Sequence, residues 1–174
     1  MSSTQPALGA IRLAWWREAL ERLSTSPPPP EPRLQAAAAE LLPRGVSGSQ
    51  FAGVEDGWAT LLDEEPDVRR VGDRGSKLFA IGALLLGGAD DRLDAAGQLF
   101  ALQQVRRMRL AAFEPPSEAT DLLVGHRFSR TLRPLTALAR LAARDARRAF
   151  QVEVEATPGR AASLLSHRLF GIVV

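Results

Sequence analysis

The stretch covering residues 75–109 constrains the fold of this chain more than any other part of its sequence. Residues 77–86 are apolar on nearly every side of a helix, which is typical of a central buried helix and not of a surface helix. A pair of glycines directly after them predicts the end of that helix, and Asp90 or Asp91 is expected to cap a second helix. Gly82 lacks a side chain and would let a neighbouring element approach. We therefore expect the other helices to pack around this pair.

Length and composition agree with a single helical domain. The 174 residues, 45% of them hydrophobic and 24% charged, are enough for one sizeable core and are ordinary for a globular protein. Aromatic residues make up only 6% and tyrosine is absent, so alanine and leucine must fill most of the core. Because these two residues favour helices over sheets, we predict an all-α bundle in a single domain over residues 1–174.

Several functions and locations are not expected from the sequence. The chain has no cysteine, which excludes disulfides, thiolate metal sites and a cysteine nucleophile. No basic region followed by an apolar run marks a signal peptide, and no apolar run reaches the ~18 residues of a membrane-spanning helix. We therefore expect a cytoplasmic protein, with a peripheral position at the inner membrane left open.

Apolar spacing and helix start and stop signals place the other helices. The first two predicted helices cover residues 6–23 and residues 33–42. A third is capped by Ser47 or Ser49 and carries on one side Phe51, Val54, Trp58, Leu61 and Leu62. Towards the C-terminus, one helix is predicted over residues 132–150, and the last helix starts at Thr157 and Pro158. A proline-rich linker at residues 27–32 separates the first two helices. Residues 63–67 are predicted to form a turn and residues 113–125 a loop, with a short turn of helix within it left open. Residues 151–155 are too short and isolated to predict a strand.

Helical spacing also predicts which side chains are buried. In the first helix these are two stripes, Leu8, Ile11 and Trp15, and Leu13, Trp16, Leu20 and Leu23. In the last helix they are Ala161, Leu164, Leu165 and Leu169, together with the aliphatic stem of Arg168. His126 and His167 lack the companions of a zinc site, so each is expected to lie on the surface.

Three aspartates follow the glycine pair and spell the pattern D-D-x-x-D. The spacing places Asp90 and Asp94 on one helical face, with Asp91 beside them, where they could share a magnesium ion. The same residues stand at a helix start, where acidic side chains cap free N–H groups and complement the helix dipole. We favour the cap over the metal site.

Arginines dominate the C-terminal part of the chain. Residues 101–174 carry 12 basic and 6 acidic groups, and five arginines fall on one side of the predicted helix at residues 132–150: Arg133, Arg140, Arg144, Arg147 and Arg148. A solvated face is the favoured interpretation. An anionic membrane surface or an acidic protein partner is the alternative. Nucleic acid is not expected, because the net charge is only +2 and no aromatic residues alternate with the arginines.

Five blocks of the chain, taken in order, resemble the squalene/phytoene synthase family, in particular the divergent branch that includes complex I assembly-factor-like proteins: IRLAWWREALERL, GVEDGWATLLDE, RGSKLFAIGALLLGG, AAGQLFALQQVRR and RPLTALARLAARDARR. The resemblance covers about residues 8–172. It implies a truncated isoprenoid synthase fold, in which helices surround an apolar cavity. The candidate residues for such a ligand pocket are Trp15, Trp16, Phe79, Gly82, Phe100, Gln103 and Gln104, although ordinary core packing is the favoured use of the aromatic ones.

The chain departs from that family at both of its magnesium-binding aspartate motifs. The residues before Trp15 contain neither Asp nor Glu, where the first motif would lie. At the second motif, Gln103 or Gln104 stands near the asparagine, and Arg107 or Met108 stands where the aspartate would be. Ionising a prenyl diphosphate requires clustered magnesium ions held by several carboxylates. We therefore expect neither a cofactor nor catalysis.

The leading hypothesis is a non-catalytic family member that binds an isoprenoid or acyl chain, or that docks on a partner at the membrane surface. The alternative is a magnesium-dependent prenyl transferase that uses Asp90, Asp91 and Asp94, or the aspartates of a partner subunit. A third hypothesis is a structural subunit of an oligomer, in which another copy supplies helices that this chain lacks.

Overall fold

The computed structural model describes residues 6–111, 113, 117–148 and 153–174. Within these ranges the protein is helical and has no β-strand, which confirms the all-α prediction. The helices, in chain order, are α1 (Pro6–Arg22), α2 (Pro32–Glu40), α3 (Gly48–Ala52), α4 (Asp56–Ala59), α5 (Val68–Leu86), α6 (Leu93–Arg107), α7 (Ser117–Asp121), α8 (Arg133–Ala146) and α9 (Pro158–Phe170). Short 3-10 turns, Leu42–Arg44 and Thr60–Leu62, follow α2 and α4. None of these helices combines the length and apolarity needed to span a bilayer.

Helices α5 and α6 form the centre of the bundle, as predicted, but α5 begins at Val68 and not at residue 77. The Asp67 side chain caps it by accepting a hydrogen bond from the Arg69 backbone N–H (2.8 Å). The predicted burial on all sides is wrong, because neighbouring helices leave the outer side of the last turns uncovered, where Leu84 is 45% exposed. The helix ends at Gly87, with φ at +67°, as predicted.

The two central helices touch backbone to backbone where Gly75 faces Gly97. A Cβ atom built on Gly75 would lie 2.0 Å from the Gly97 carbonyl oxygen, and one built on Gly97 would lie 2.3 Å from the Gly75 carbonyl oxygen. Gly82 contacts the Leu135 side chain of α8, at 2.9 Å from a built Cβ, so the predicted close neighbour is confirmed. Around these contacts lies the main core, which includes Phe79, Leu93, Leu99, Leu123, Phe128, Leu132 and Ala139.

Only one of the two predicted apolar stripes of α1 is buried. The stripe that packs against α2 comprises Trp16, Ala19, Leu20 and Leu23. Leu8, Ile11 and Trp15 are exposed instead, and the prediction for them is wrong. The reason is that α1 meets the rest of the bundle through α3 and α4, and no element in the described residues covers the opposite side of the helix.

The predicted third helix is broken into α3, α4 and a 3-10 turn. Ser47 caps α3 as predicted, since its hydroxyl accepts from the Gln50 backbone N–H and the Gln50 side chain accepts from the Ser47 N–H. A Cβ atom on Gly57 would lie 2.6 Å from the Arg70 carbonyl oxygen. This close approach of α4 to α5 sets an orientation that one continuous helix from Ser47 does not have.

The C-terminal helices α8 and α9 complete the bundle. Helix α8 packs on α6 and ends at Ala146; the last two residues of the predicted helix, 149 and 150, lie outside the described residues. Helix α9 begins as predicted, because the Thr157 hydroxyl accepts from the Arg160 backbone N–H and Pro158 occupies the first turn. Helix α9 in turn packs on α8, which connects it to the central helices.

Candidate functional site

Helix α9 packs on α8 with a stripe of polar side chains. Arg160, Ser163 and His167 are buried. Their partners on α8 run in antiparallel order: Asp145 accepts from Arg160 (2.7 Å), Arg140 donates to Ser163 (2.9 Å), and Thr136 is bonded to His167 (2.9 Å). These three contacts form a polar ladder between the two helices, and they determine which side of α9 faces inward.

The sequence prediction for the buried side of α9 is wrong. Ala161, Leu164, Leu165, Arg168 and Leu169 are all exposed, with Leu165 at 58% and Leu169 at 60%. Buried polar groups require hydrogen-bonding partners, and α8 supplies one for each member of the polar stripe. The leucines of α9 consequently face solvent.

His167 is buried, so its predicted surface position is also wrong. Its Nδ1 lies 2.9 Å from the Ile172 carbonyl oxygen, which can only accept, so Nδ1 carries a proton and donates it; its Nε2 lies 2.9 Å from the Thr136 hydroxyl oxygen. Burial lowers the pKa of His167, and the charges of Arg140 and Arg133 lower it further. The imidazole is therefore neutral at pH 7.

This shift predicts a loss of stability in mild acid. The unfolded chain takes up a proton on His167 near pH 6.5, whereas the folded protein takes it up only at lower pH. The stabilisation is complete above pH 6.5 and declines as the pH falls toward the folded pKa, with a slope of at most about 1.4 kcal/mol per pH unit. Urea unfolding of the parent and of His167→Gln from pH 8 to pH 5 measures it; equal slopes for the two proteins would contradict the prediction.

A groove of about 720 Å³ lies between α8 and α9. This α8–α9 groove is lined by Arg130, Arg133, Pro134, Ala137, Leu164, His167, Arg168 and Leu169. The Arg133 guanidinium donates to the carbonyl oxygens of Arg168 (2.9 Å) and Leu169 (3.1 Å) at the end of α9. The guanidinium groups of Arg130 and Arg168 have no ion pair or hydrogen bond within the described ranges. The groove therefore combines apolar walls with three arginines, Arg130, Arg133 and Arg168, that have no acidic partner among the described residues.

The predicted arginine face of α8 is largely satisfied within the protein. Glu153 accepts from Arg144 (2.6 Å) and pairs with Arg148 (3.0 Å), and the hydrogen bond from Arg144 lowers the pKa of Glu153 to about 2. Arg140 donates to Ser163 and to the Val173 carbonyl oxygen. An acid from the segment before α9 therefore folds back onto this face and offsets part of its charge. Of the five arginines, Arg133 borders the α8–α9 groove and Arg147 is exposed.

The seven predicted pocket residues do not share one cavity. Phe100, Gln103 and Gln104 line a cavity of about 260 Å³ between α6 and α8, which we call the α6–α8 cavity. The remaining four lie elsewhere: Trp15 is exposed, Trp16 packs on α2, Phe79 is fully buried at 5.7 Å from the Phe100 ring centre, and Gly82 contacts α8. Three of the predicted residues are thus adjacent, and Phe79 supports them from within the core.

A buried carboxylate organises the polar side of the α6–α8 cavity. Asp145 accepts from Arg107 (3.0 Å) and from Arg160 (2.7 Å), and its side chain is only 4% exposed. Gln103 is also buried, and its Nε2 has no hydrogen-bond partner among the described residues. Gln104 instead accepts from Arg74 (2.9 Å). The cavity offers hydrogen-bonding groups and apolar surface, and both of its arginines are paired with acids, Arg160 with Asp145 and Arg107 with Asp145 and Glu155.

Of the three aspartates of the D-D-x-x-D pattern, Asp90 and Asp91 lie before α6 and Asp94 lies in the first turn of this helix. The Asp90 carboxylate accepts from the Arg92 backbone N–H (2.9 Å) and lies 2.9 Å from His126 Nε2. Helix α6 itself starts at Leu93 with Arg92 as its N-cap residue, so Asp90 caps the preceding turn and not the helix. In the part of the chain that the structure describes, no three His, Cys, Asp or Glu side chains are grouped so that they could hold a metal ion.

Several residues of these sites were missed from the sequence. Asp145 is the one acid in an arginine-rich helix, and such an isolated charge is a signal for a buried ion pair. Arg160, Ser163 and His167 recur at the spacing of one helical face, but the leucines of α9 form a competing stripe. Nothing in the local sequence marks Arg130 or Arg168 as uncompensated, because that depends on which acids fold beside them.

No family model, curated protein or solved structure matches this chain. The resemblance to the squalene/phytoene synthase family therefore stays a prediction, and the function is argued from the residues themselves.

Proposed function

We propose that this protein binds an anionic lipid through α8 and α9 and does not catalyse a reaction. The observation that supports this most is the α8–α9 groove, where exposed leucines adjoin arginines that have no acidic partner. A lipid has the matching composition, since its phosphate is anionic and its isoprenoid or acyl chain is apolar. The groove volume of about 720 Å³ lies in the range of small-molecule sites.

The orientation of α9 supports membrane contact in particular. An amphipathic helix can lie in the plane of a bilayer surface, with its apolar side among the acyl chains and its basic residues at the headgroups. Leu165, Leu169 and Phe170 form such an exposed apolar side, and Arg168 lies among them on the same helix. The rest of the bundle holds this side outward through the polar ladder, so no unfolding is needed before contact.

The residues in the groove do not favour catalysis. Both ring nitrogens of His167 are already bonded within the protein, so it is poorly placed as a general base. Ionising a prenyl diphosphate needs several carboxylates that hold divalent cations, and the groove is lined by arginines instead. A binding role requires only the positive charges that line the groove.

Vesicle co-sedimentation tests the proposal. We expect the protein to bind vesicles that contain phosphatidylglycerol and to bind pure phosphatidylcholine vesicles weakly, with binding that falls as salt rises. The double variant Arg130→Gln with Arg168→Gln should weaken binding about 30-fold, since each basic residue near an anionic surface contributes about 1 kcal/mol. The matched control, Arg33→Gln with Arg69→Gln, removes the same charge from exposed positions on α2 and α5 and should change binding little.

A separate variant tests the contribution of the exposed leucines to membrane binding. Leu165→Ser with Leu169→Ser leaves the net charge unchanged and should weaken vesicle binding at least about tenfold, because two inserted leucines lose their burial. Equal binding by the parent, the arginine variant and the control would contradict the proposal. So would a stable dimer that buries α9 and binds no vesicles, which would instead favour the structural-subunit hypothesis.

A further inference from the structure

A second groove, of about 540 Å³, lies between α1 and the segment formed by α4 and the 3-10 turn after it. One side of this α1–α4 groove is apolar and consists mainly of small residues: Ala7, Ala10, Leu13, Ala14, Ala59 and Leu62. The other side is charged and consists of Arg17, Glu18, Glu21, Glu55, Asp63 and Arg70. Four carboxylates against two guanidinium groups give this lining a net charge of −2.

Glu55 is the unusual member of the α1–α4 groove. It is only 8% exposed, and its Oε2 has no hydrogen-bond donor among the described residues. The nearest cation, Arg17 Nη1, lies 3.6 Å away, which is too far for a hydrogen bond. Burial raises the pKa of Glu55, and the opposing charge of Arg17 does not cancel that effect. A buried carboxylate without a donor is costly, so this oxygen has unmet capacity for an N–H group.

The other charges around the groove are better satisfied. Arg70 donates to Asp56 (2.9 Å) and to Asp63 (3.1 Å). Glu18 is paired with Arg22, and Glu21 is exposed, so water can hydrate its carboxylate. The need for a hydrogen-bond donor is therefore greatest at Glu55, at the buried side of the groove. The excess negative charge of the lining disfavours an anionic ligand.

We propose that the α1–α4 groove binds the ammonium end of an aliphatic amine. The ammonium donates to the carboxylate of Glu55, which lines the groove, and so supplies the charge-assisted hydrogen bond that this group otherwise lacks. The alanines of α1 leave room for a methylene chain along the apolar side. A divalent metal ion is a poorer candidate, since no three metal-ligating side chains are grouped in the described part of the chain. This site is separate from the α8–α9 groove and does not depend on the lipid proposal.

Calorimetric titration of the whole chain with 1,5-diaminopentane, at constant ionic strength, tests this assignment. We expect saturable binding of the diamine and none of 1,5-pentanediol, its uncharged analogue. Glu55→Gln keeps the shape of the side chain and should weaken diamine binding at least about tenfold. Glu64→Gln removes the same charge from an exposed position outside the groove and should leave the affinity within about twofold of the parent.

A further variant separates loss of binding from loss of fold. Ala10 is exposed, so Ala10→Leu should keep the parent circular dichroism spectrum while it fills the groove and abolishes binding. Equal affinity of the parent and Glu55→Gln, binding of the diol, or no binding at millimolar diamine would each overturn the proposal. Comparison with Nα-acetyl-lysine methylamide identifies the source of the ammonium. Tighter binding of this compound indicates a lysine side chain of a partner, and tighter binding of the diamine indicates a free amine. Either result supports the site.

Discussion

Replacing Gly75 with alanine is expected to lower the free energy of unfolding by about 3 kcal/mol or more. The added methyl group would lie 2.0 Å from the carbonyl oxygen of Gly97, 2.5 Å from its carbonyl carbon and 2.7 Å from the Ala101 Cβ. Two of these atoms belong to the backbone of α6, so no side-chain rotation relieves the overlap. The central helices would have to separate, and the gaps that open in the core beside the contact would add to the cost.

Gly72 provides the matched control, because it is also buried and lies one turn earlier on the same helix. The nearest atom to a Cβ atom built there is Gln98 Cγ at 3.5 Å, an ordinary contact. Alanine has the higher helix propensity, so Gly72→Ala should raise the free energy of unfolding by about 0.5–1 kcal/mol. Urea unfolding followed by circular dichroism measures both variants. If Gly75→Ala proved as stable as Gly72→Ala, the backbone contact between α5 and α6 would be wrong.

Replacing Asp145 with asparagine is expected to cost about 3–5 kcal/mol. The Asp145 carboxylate is 4% exposed and accepts from both Arg107 and Arg160. The Arg160 side chain is itself only 10% exposed, so removing the negative charge leaves a guanidinium group buried without compensation. For a chain of this length each kcal/mol corresponds to about 2–4 °C in Tm, so thermal unfolding would show a large shift.

The control for this substitution is Asp73→Asn, which makes the same chemical change at an exposed position of α5 and should alter stability by less than about 0.5 kcal/mol. Adding Arg160→Met to Asp145→Asn should recover part of the loss, because the uncompensated cation is removed and an apolar side chain takes its place. A double variant less stable than the single one would show that Arg160 contributes through packing and not through its charge.

The same aspartate connects stability to the proposed function. Asp145, Ser163 and His167 belong to the polar ladder that holds one side of α9 against α8. Because that side is inward, Leu165 and Leu169 are outward, and the apolar surface available to a lipid follows from the polar contacts beneath it. Loss of the ladder would free α9 to turn its leucines toward the core.

Local signals predicted some elements well. Thr157 with Pro158 marked the start of α9, Ser47 marked α3, and Gly87 marked the end of α5, because caps depend on residues within one turn of each other. The start of α5 was missed because the first half of this helix, which Asp67 caps, is amphipathic: its outer side is polar and its inner side is buried. A continuous apolar run indicates a helix that is buried on all sides, so it does not reveal a helical segment that is buried on one side only.

The candidate sites were harder to predict. Phe100, Gln103 and Gln104 do lie together, because they are neighbours on one helix. Phe79 of α5 lies next to them in the core, 5.7 Å from the Phe100 ring centre. Trp15 was expected beside them and is not, since α1 meets the rest of the bundle through α3 and α4. Glu55 was not singled out, because its burial and its missing donor arise only where α1 closes over α4.

The sequence by itself determined that this chain is all-α, where several helices begin and end, and that α5 and α6 are central, because composition, caps and periodicity act over a few residues. Only the tertiary structure decided which side of α9 is buried and which arginines remain uncompensated. Leu164, Leu165 and Leu169 compete with Arg160, Ser163 and His167 for the inward position. That competition is settled by the partners that α8 provides, since a buried polar group is stable only when another element satisfies it.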